Sequence, residues 1–433
     1  MLQAGFARLD MTPPLGTPLA GYYSQRCATG VLDPLSLNAL ALSDGAQTAV
    51  LITVDALGIR RAYADEIREM IAARVQLPVD HVMIMALHQH TSMRIADAWE
   101  RSALTDETYR SVLYRKMCDV AQMAIDDLSD AVCTRGIKET AEQIAFIRRY
   151  RMQDGSVATN PGKRRSEVVA PVGEADNRVR LLRFAREGKK DIALVNFSTH
   201  PDTIGGKQIS ADWPGFVRRF TEQDHPDAHC ICINGCQGDS NHVNIYSDEK
   251  QSGYFRAEHM GRVIVDTVNA LWNETVPCRE GKLYSAVRLV WNFTNRAGIE
   301  DYEECAALYY GQWKGENVPK MTPKGHAIGE CERIVKLKEK GQIFQCVPVN
   351  VIGFGDTALV GFGGEPFMHY AEGAREQAPD KFVICACCAN GYEDYLPTDS
   401  AFDEGGYEAT STPFTKGLER DCVAAAGEML KEF

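Results

Sequence analysis

The chain has 433 residues, is 45% hydrophobic and 24% charged, and carries a formal net charge of −12. That composition is globular, and the length allows one large domain or two of ordinary size. The acidic balance argues against nucleic acid or an anionic membrane surface as main partner, and no uninterrupted apolar run approaches the roughly 18 residues of a membrane-spanning helix.

In chain order, residues 1–6 lack the basic and apolar regions of a signal peptide. The fourteen cysteines then read as thiols of a reducing cytoplasm rather than as a disulfide framework. Asp10-Met11-Thr12-Pro13-Pro14 is a loop signal, and residues 39–42 and 49–54 flank a turn at Ser43-Asp44-Gly45 as a hairpin would. Residues 62–75 place their apolar positions at helical spacing, with Glu66, Arg68 and Glu69 outside. Residues 82–87 are six apolar residues in a row, a strand buried on both faces, and they run into His88-Gln89-His90. Residues two apart on a strand share a face, so both histidines emerge together at its carboxyl end, where open α/β sheets hold their ligands.

A helix is expected over 105–130, capped near Thr105-Asp106. Residues 148–180 are polar, basic and turn-rich, and read as a long loop whose arginines either grip an anionic group or are simply solvated. Strands at 192–197 and 229–233 run into Ser198-Thr199-His200-Pro201 and into Asn234-Gly235-Cys236-Gln237-Gly238-Asp239-Ser240-Asn241-His242. Residues 347–354 and 357–362 form a hairpin about Gly355-Asp356 that ends at Gly363-Gly364-Glu365-Pro366, and residues 382–388 lead to Asn390-Gly391-Tyr392-Glu393-Asp394-Tyr395. Cys230, Cys232, Cys385 and Cys388 read as small core residues, since the single Cys-x-x-Cys lacks the second pair of a zinc ribbon. Between about 296 and 344 lies a charged helical insertion, placed to cap a site.

Five strand ends thus bear His, His, Asp, Glu and Tyr, which together point to a site more strongly than any one alone. Two histidines and a carboxylate make the ligand set of a catalytic zinc, although other metals share that chemistry. The His-Glu-x-x-His and His-x-His-x-Asp-His signatures are absent, and the hairpins contradict a β/α barrel. The expected fold class is α/β. Its mixed sheets carry flanking helices and a metal site at the carboxyl ends of strands, within a single domain over 1–433.

The motifs quoted above, with Gly21-Tyr22 and Tyr407-Glu408, give a chain that resembles the catalytic domain of the neutral/alkaline non-lysosomal ceramidase family. The resemblance implies a single zinc (Zn2+) held by His88, His200, Glu365 and Tyr395, with His90 and Tyr407 nearby and Arg148 where that family has a substrate-contacting arginine. Two departures stand out. The family's Gly-Asp-x-Ser-Pro-Asn, whose serine is the implicated nucleophile, is here Gly238-Asp239-Ser240-Asn241-His242, with asparagine in the serine's place. Ser240, one residue early, would point the other way on an extended segment. The chain also stops at Phe433 without the family's carboxyl-terminal immunoglobulin-like domain.

The function expected is zinc-dependent cleavage of an amide in a small soluble N-acyl compound. Zinc would lower the pKa of water to about 7. His90 would serve as general base or acid, and Tyr407 and Asn241 as oxyanion donors worth about 3–4 kcal/mol each. Asp239 would either orient a ligand histidine or cap the following helix, and the nucleophile is either Ser240 or water. The alternatives are an esterase, lactonase or sugar-derivative hydrolase, a true ceramidase, and a non-catalytic zinc-cavity protein. The charged insertion and basic loop make long-chain ceramide the less expected substrate.

Overall fold

The computed structural model describes residues 1–433. Eight strands run through the larger sheet: β1 (Gln3–Asp10), β2 (Ser36–Ser43), β3 (Thr48–Val54), β4 (Val82–Ala86), β5 (Ser129–Glu139), β6 (Arg178–Arg186), β7 (Asp191–Phe197) and β8 (Ala228–Asn234). They lie in the order β8-β7-β6-β5-β1-β2-β3-β4, with the short Val276–Pro277 pairing on β5. The smaller sheet is β9 (Leu283–Phe293), β10 (Phe344–Phe354), β11 (Thr357–Phe362) and β12 (Phe382–Ala386), in that order.

Neighbouring strands are antiparallel except at three places: β3 with β4, β7 with β8, and β11 with β12. A parallel pair needs a crossover long enough to hold a helix. Helices α1 (Arg61–Val75), α2 (Glu107–Asp126), α3 (Asp212–Asp224) and α4 (Tyr254–Leu271) cover the larger sheet. After α5 (Tyr302–Lys314) and α6 (Ile328–Lys340), helix α7 (Met368–Glu376) lies along the smaller sheet. Helices α8 (Asp399–Glu404), α9 (Tyr407–Ser411) and α10 (Leu418–Leu430) end the chain. The three crossovers are α1, α3 and α7, so each parallel pair sends its strand ends to the same edge of the molecule.

Alternation along the strands explains the layers. Val82 and Ile84 of β4 pack with Ile67 of α1 and Leu113 of α2. Met83 and Met85 face the other way and pack with Ile352, Leu359 and Ile384 of the smaller sheet. Both faces are therefore buried, which is why the sequence shows a continuous apolar run. On the far side, Val349 and Val360 meet Tyr370 of α7 and Ala426 of α10. The order of layers is helices, sheet, sheet, helices.

The α/β class with mixed sheets holds, and α1, α2 and the two hairpins fall where periodicity puts them, with the Asp106 side chain capping α2 through Tyr109 N. Arg68 does not. It is 4% exposed, and its guanidinium donates to the carbonyls of Val82 and Val79. Residues 148–180 are also not one loop. Arg149–Met152, Val157–Thr159 and Val168–Pro171 make a three-stranded antiparallel sheet anchored by buried Tyr150. Strands of three or four residues are too short to show a period. The insertion is the connection of the β9–β10 hairpin, whose strands pair up to Phe293 and Phe344. All fourteen thiols are free, and no helix is long and apolar enough to cross a membrane.

Candidate metal centre

Strand β4 ends at Ala86, and His88 adopts a left-handed φ of 72°. The two histidines therefore do not continue the strand, yet their rings converge, with Nε2 atoms 3.4 Å apart. His200 arrives from the end of β7. Glu365 follows β11 in the two-residue strand Glu365–Pro366, which pairs in parallel with Tyr395–Leu396 beyond β12. Buried asparagines hold these strand ends together: Asn234 donates to the carbonyl of Leu87 at 3.1 Å, and Asn390 accepts from Ile84 N at 2.8 Å. Gly238 passes so close that a Cβ there would lie 2.3 Å from the Glu365 carbonyl oxygen.

The protonation of the cluster follows from its outer contacts. Nδ1 of His88 lies 2.8 Å from the carbonyl of Leu57, and Nδ1 of His200 lies 2.9 and 3.0 Å from the carbonyls of Gln237 and Ser240. Carbonyls only accept, so each Nδ1 carries a hydrogen and each Nε2 is the ring nitrogen turned inward, where an unprotonated one can bind a metal. Burial, with Arg148 beside it, lowers the pKa of His200 to about 4. Burial also holds His90 well below its usual range, helped by His88 and His200.

Those inward nitrogens meet a carboxylate. Glu365 Oε2 lies 3.2 Å from His88 Nε2 and 3.0 Å from His200 Nε2, and it is buried without a hydrogen-bond donor. Its other oxygen accepts from Tyr392 at 3.1 Å. Donor atoms bonded at about 2.0–2.1 Å in a tetrahedron lie about 3.3 Å apart, the spacing seen here. His88, His90 and His200 all offer ring nitrogens within 4.8 Å of one another. Imidazole nitrogens and a carboxylate oxygen converging at this spacing fit a divalent cation.

The remaining candidates sort by what they touch. The Tyr395 ring centroid is 6.5 Å from that of His200, with the Arg148 guanidinium 5.2 Å from the tyrosine ring. Tyr407 packs edge-on to Tyr395 at 5.5 Å and shares a 2.8 Å hydrogen bond with the hydroxyl of Tyr23. Arg148 has one nitrogen 3.3 Å from His200 Nε2 and is braced by Glu408 and the carbonyl of Gly238. Asp239 accepts from Met368 N at the start of α7, and burial pushes its carboxyl up to about 6. It caps that helix, and His200 is held by main-chain carbonyls instead. Asn241 donates to Asn160 and accepts from Val243 N, so its amide is spent within the loop. The Ser240 hydroxyl is buried without a partner.

Several residues of the site escape sequence reasoning. Asp202, whose carboxyl burial raises to about 7, stands 3.5 Å from His90 Nδ1 and accepts from Tyr22. Tyr392 and Glu408 lay within quoted motifs but had no assigned role, while Arg94 and Arg101 sit in irregular chain that carries no pattern. A cavity of about 70 Å³ separates the donors from α6 and is lined by His88, His90, Glu365 and Tyr407 on one side and Glu332 and Lys336 on the other.

No protein-family model and no curated protein matches the chain by sequence. Solved structures do match. The neutral ceramidase from Pseudomonas aeruginosa aligns over 99% of this chain and 73% of its own, with a TM-score of 0.71 and 14% identity. A ceramidase complexed with C2 gives the same TM-score and identity, over 99% and 74%. The resemblance read from the motifs thus holds in three dimensions. This chain has the neutral ceramidase fold.

Proposed function

We propose that the protein is a zinc-dependent hydrolase of an amide bond in a small, soluble N-acyl compound, with residues 1–433 working as one domain. The observation that carries this reading is the convergence of His88 Nε2 and His200 Nε2 on Glu365 Oε2, at 3.2 and 3.0 Å, in a buried site. The shared fold adds support, because ceramidases act on an amide. Tyr395 completes the ligand set from the strand paired with Glu365. Zinc bound by these residues would supply Lewis-acid chemistry, acidifying water and polarising a carbonyl.

The chain's own groups supply the rest. His90 has an Nδ1 without a hydrogen-bond partner, facing Asp202. It takes the proton from the attacking water and passes it to the leaving amine. Tyr407 lines the cavity and donates to the oxygen on which charge develops. Arg148, fixed by Glu408, stands beside His200 to hold the substrate carbonyl. A soluble substrate and a cytoplasmic setting agree with the charged cavity walls and fourteen free thiols.

Elemental analysis of the purified protein is expected to give about one zinc per chain, lost for the most part in His88→Ala and His200→Ala. The loaded protein is expected to hydrolyse N-acyl amides from a mixed amide and ester panel. Turnover of esters alone would remove the amide reading, and stoichiometric metal in the double alanine variant would remove the ligand assignment.

A further inference from the structure

The cavity beside the metal donors is lined by six permanent cations: Arg60, Arg94, Arg101, Arg333, Lys336 and Lys340. Five carboxylates answer them. Arg60 takes Glu100 at 2.9 Å and Asp394 at 3.2 Å, Arg101 and Lys336 share Glu332 at 3.0 Å each, Arg333 takes Glu330 at 3.3 Å, and Lys340 reaches Asp97 at 3.4 Å. The cavity's remaining carboxylate, Glu365, faces His88 and His200, and the cation left without a close carboxylate is Arg94.

Arg94 is 2% exposed, yet its nearest carboxylate oxygen is Glu100 Oε2 at 3.9 Å, already engaged by Arg60. One terminal nitrogen donates to the carbonyl of Arg101, and its Nε is buried with no acceptor. A buried guanidinium with unmade hydrogen bonds is costly in the folded chain. Its planar fork matches a carboxylate.

We propose that Arg94, with Lys340 of α6 at the rim, is a carboxylate-binding subsite, and that the substrate is an anionic N-acyl compound of the N-acyl amino acid class. This rests on the reading of the cavity as the substrate site of an amide hydrolase. A single guanidinium without a close carboxylate suits a ligand with one carboxylate, and about 70 Å³ admits a small head group rather than two alkyl chains. The arginines of the basic segment do not serve this role. Arg164 and Arg165 pair with Asp248 and Glu167 on the surface, away from the cavity.

The test is calorimetric binding of N-acetylglycine and of N-acetylglycinamide to the full-length chain stripped of metal, so that no carboxylate–metal bond contributes. The acid is expected to bind about tenfold or more tightly than the amide, and Arg94→Gln to abolish that preference. Lys340→Glu, at a side chain 26% exposed and therefore tolerant of change, is expected to reduce it severalfold. Equal affinity for acid and amide, no binding of either, or a preference untouched in both variants would overturn the subsite. Turnover of the same pair by zinc-loaded protein is a separate measurement. If the acid binds through Arg94 but no amide is cleaved, the hydrolase reading fails and the subsite stands.

Discussion

Ser240 and Glu365 make opposite contributions to the centre, and the difference lies in which atoms are used. The Ser240 carbonyl orients His200, while its hydroxyl touches nothing. Ser240→Ala keeps the carbonyl and removes a buried, unpaired hydroxyl, so metal content and turnover are expected to be retained, with stability unchanged or raised by up to about 1 kcal/mol. Glu365→Gln removes the anionic oxygen facing both imidazoles and is expected to lose most of the bound metal and all turnover. Metal analysis and kinetics on the two variants check this, and an acyl group trapped on Ser240 would restore a serine nucleophile. His88 and His90 were legible because the apolar run of β4 leads directly into them, although the shared strand face expected of them is replaced by a left-handed His88. The orienting roles of Leu57, Gln237 and Ser240 were not, since a main-chain carbonyl leaves no mark on residue identity. Tyr395 entered only through the family resemblance, and spacing alone gave it no role.

Helix α6 shows the same limit one level up. The helix was legible and its charged residues read as a wall over a site, although a charged helix face ordinarily stays in solvent. Yet Glu332, Arg333 and Lys336 are 8%, 3% and 7% exposed, turned inward onto Arg101, Glu100 and the cavity. Periodicity finds a stripe but cannot say that a polar stripe is the buried one when its partners lie some 230 residues away, as Arg101 does from Glu332. The small sheet spanning Arg149–Met152 to Val168–Pro171 escaped for want of length. Gly329 fixes how closely α6 approaches: a Cβ there would fall 2.6 Å from the Tyr407 ring and 3.0 Å from the Tyr23 hydroxyl. In an exposed helix Gly→Ala gains about 1 kcal/mol. Here Gly329→Ala is expected to cost about 1–3 kcal/mol through overpacking and to lower kcat by displacing Tyr407, with metal content unchanged. Denaturant unfolding and steady-state kinetics check both, and a more stable variant of full activity would show that α6 is not seated on Tyr407.

Across the whole molecule, the proposed centre draws its donors from both sheets. His88 and His200 leave the larger sheet after β4 and β7, whereas Glu365 and Tyr395 leave the smaller one after β11 and β12. Hairpins and apolar runs were legible strand by strand. The division into two sheets was not, because the pairing of β1 with β5 joins residues more than a hundred positions apart. Between the sheets lies a shared apolar core of 23 buried residues, so a metal ion bridging their ends binds only the assembled form. An ion at a hundred times its Kd then adds about 2.7 kcal/mol to stability. At roughly 1 °C per kcal/mol for a chain of this size, stripping the metal is expected to lower Tm by about 3 °C. Stoichiometric zinc is expected to restore it, while His200→Ala melts at one temperature with or without zinc. Scanning calorimetry of the native, stripped and reloaded protein reads the shift directly. A Tm indifferent to verified removal of the metal would mean that the sheets are held by their common core alone and that the ion plays no part in joining them.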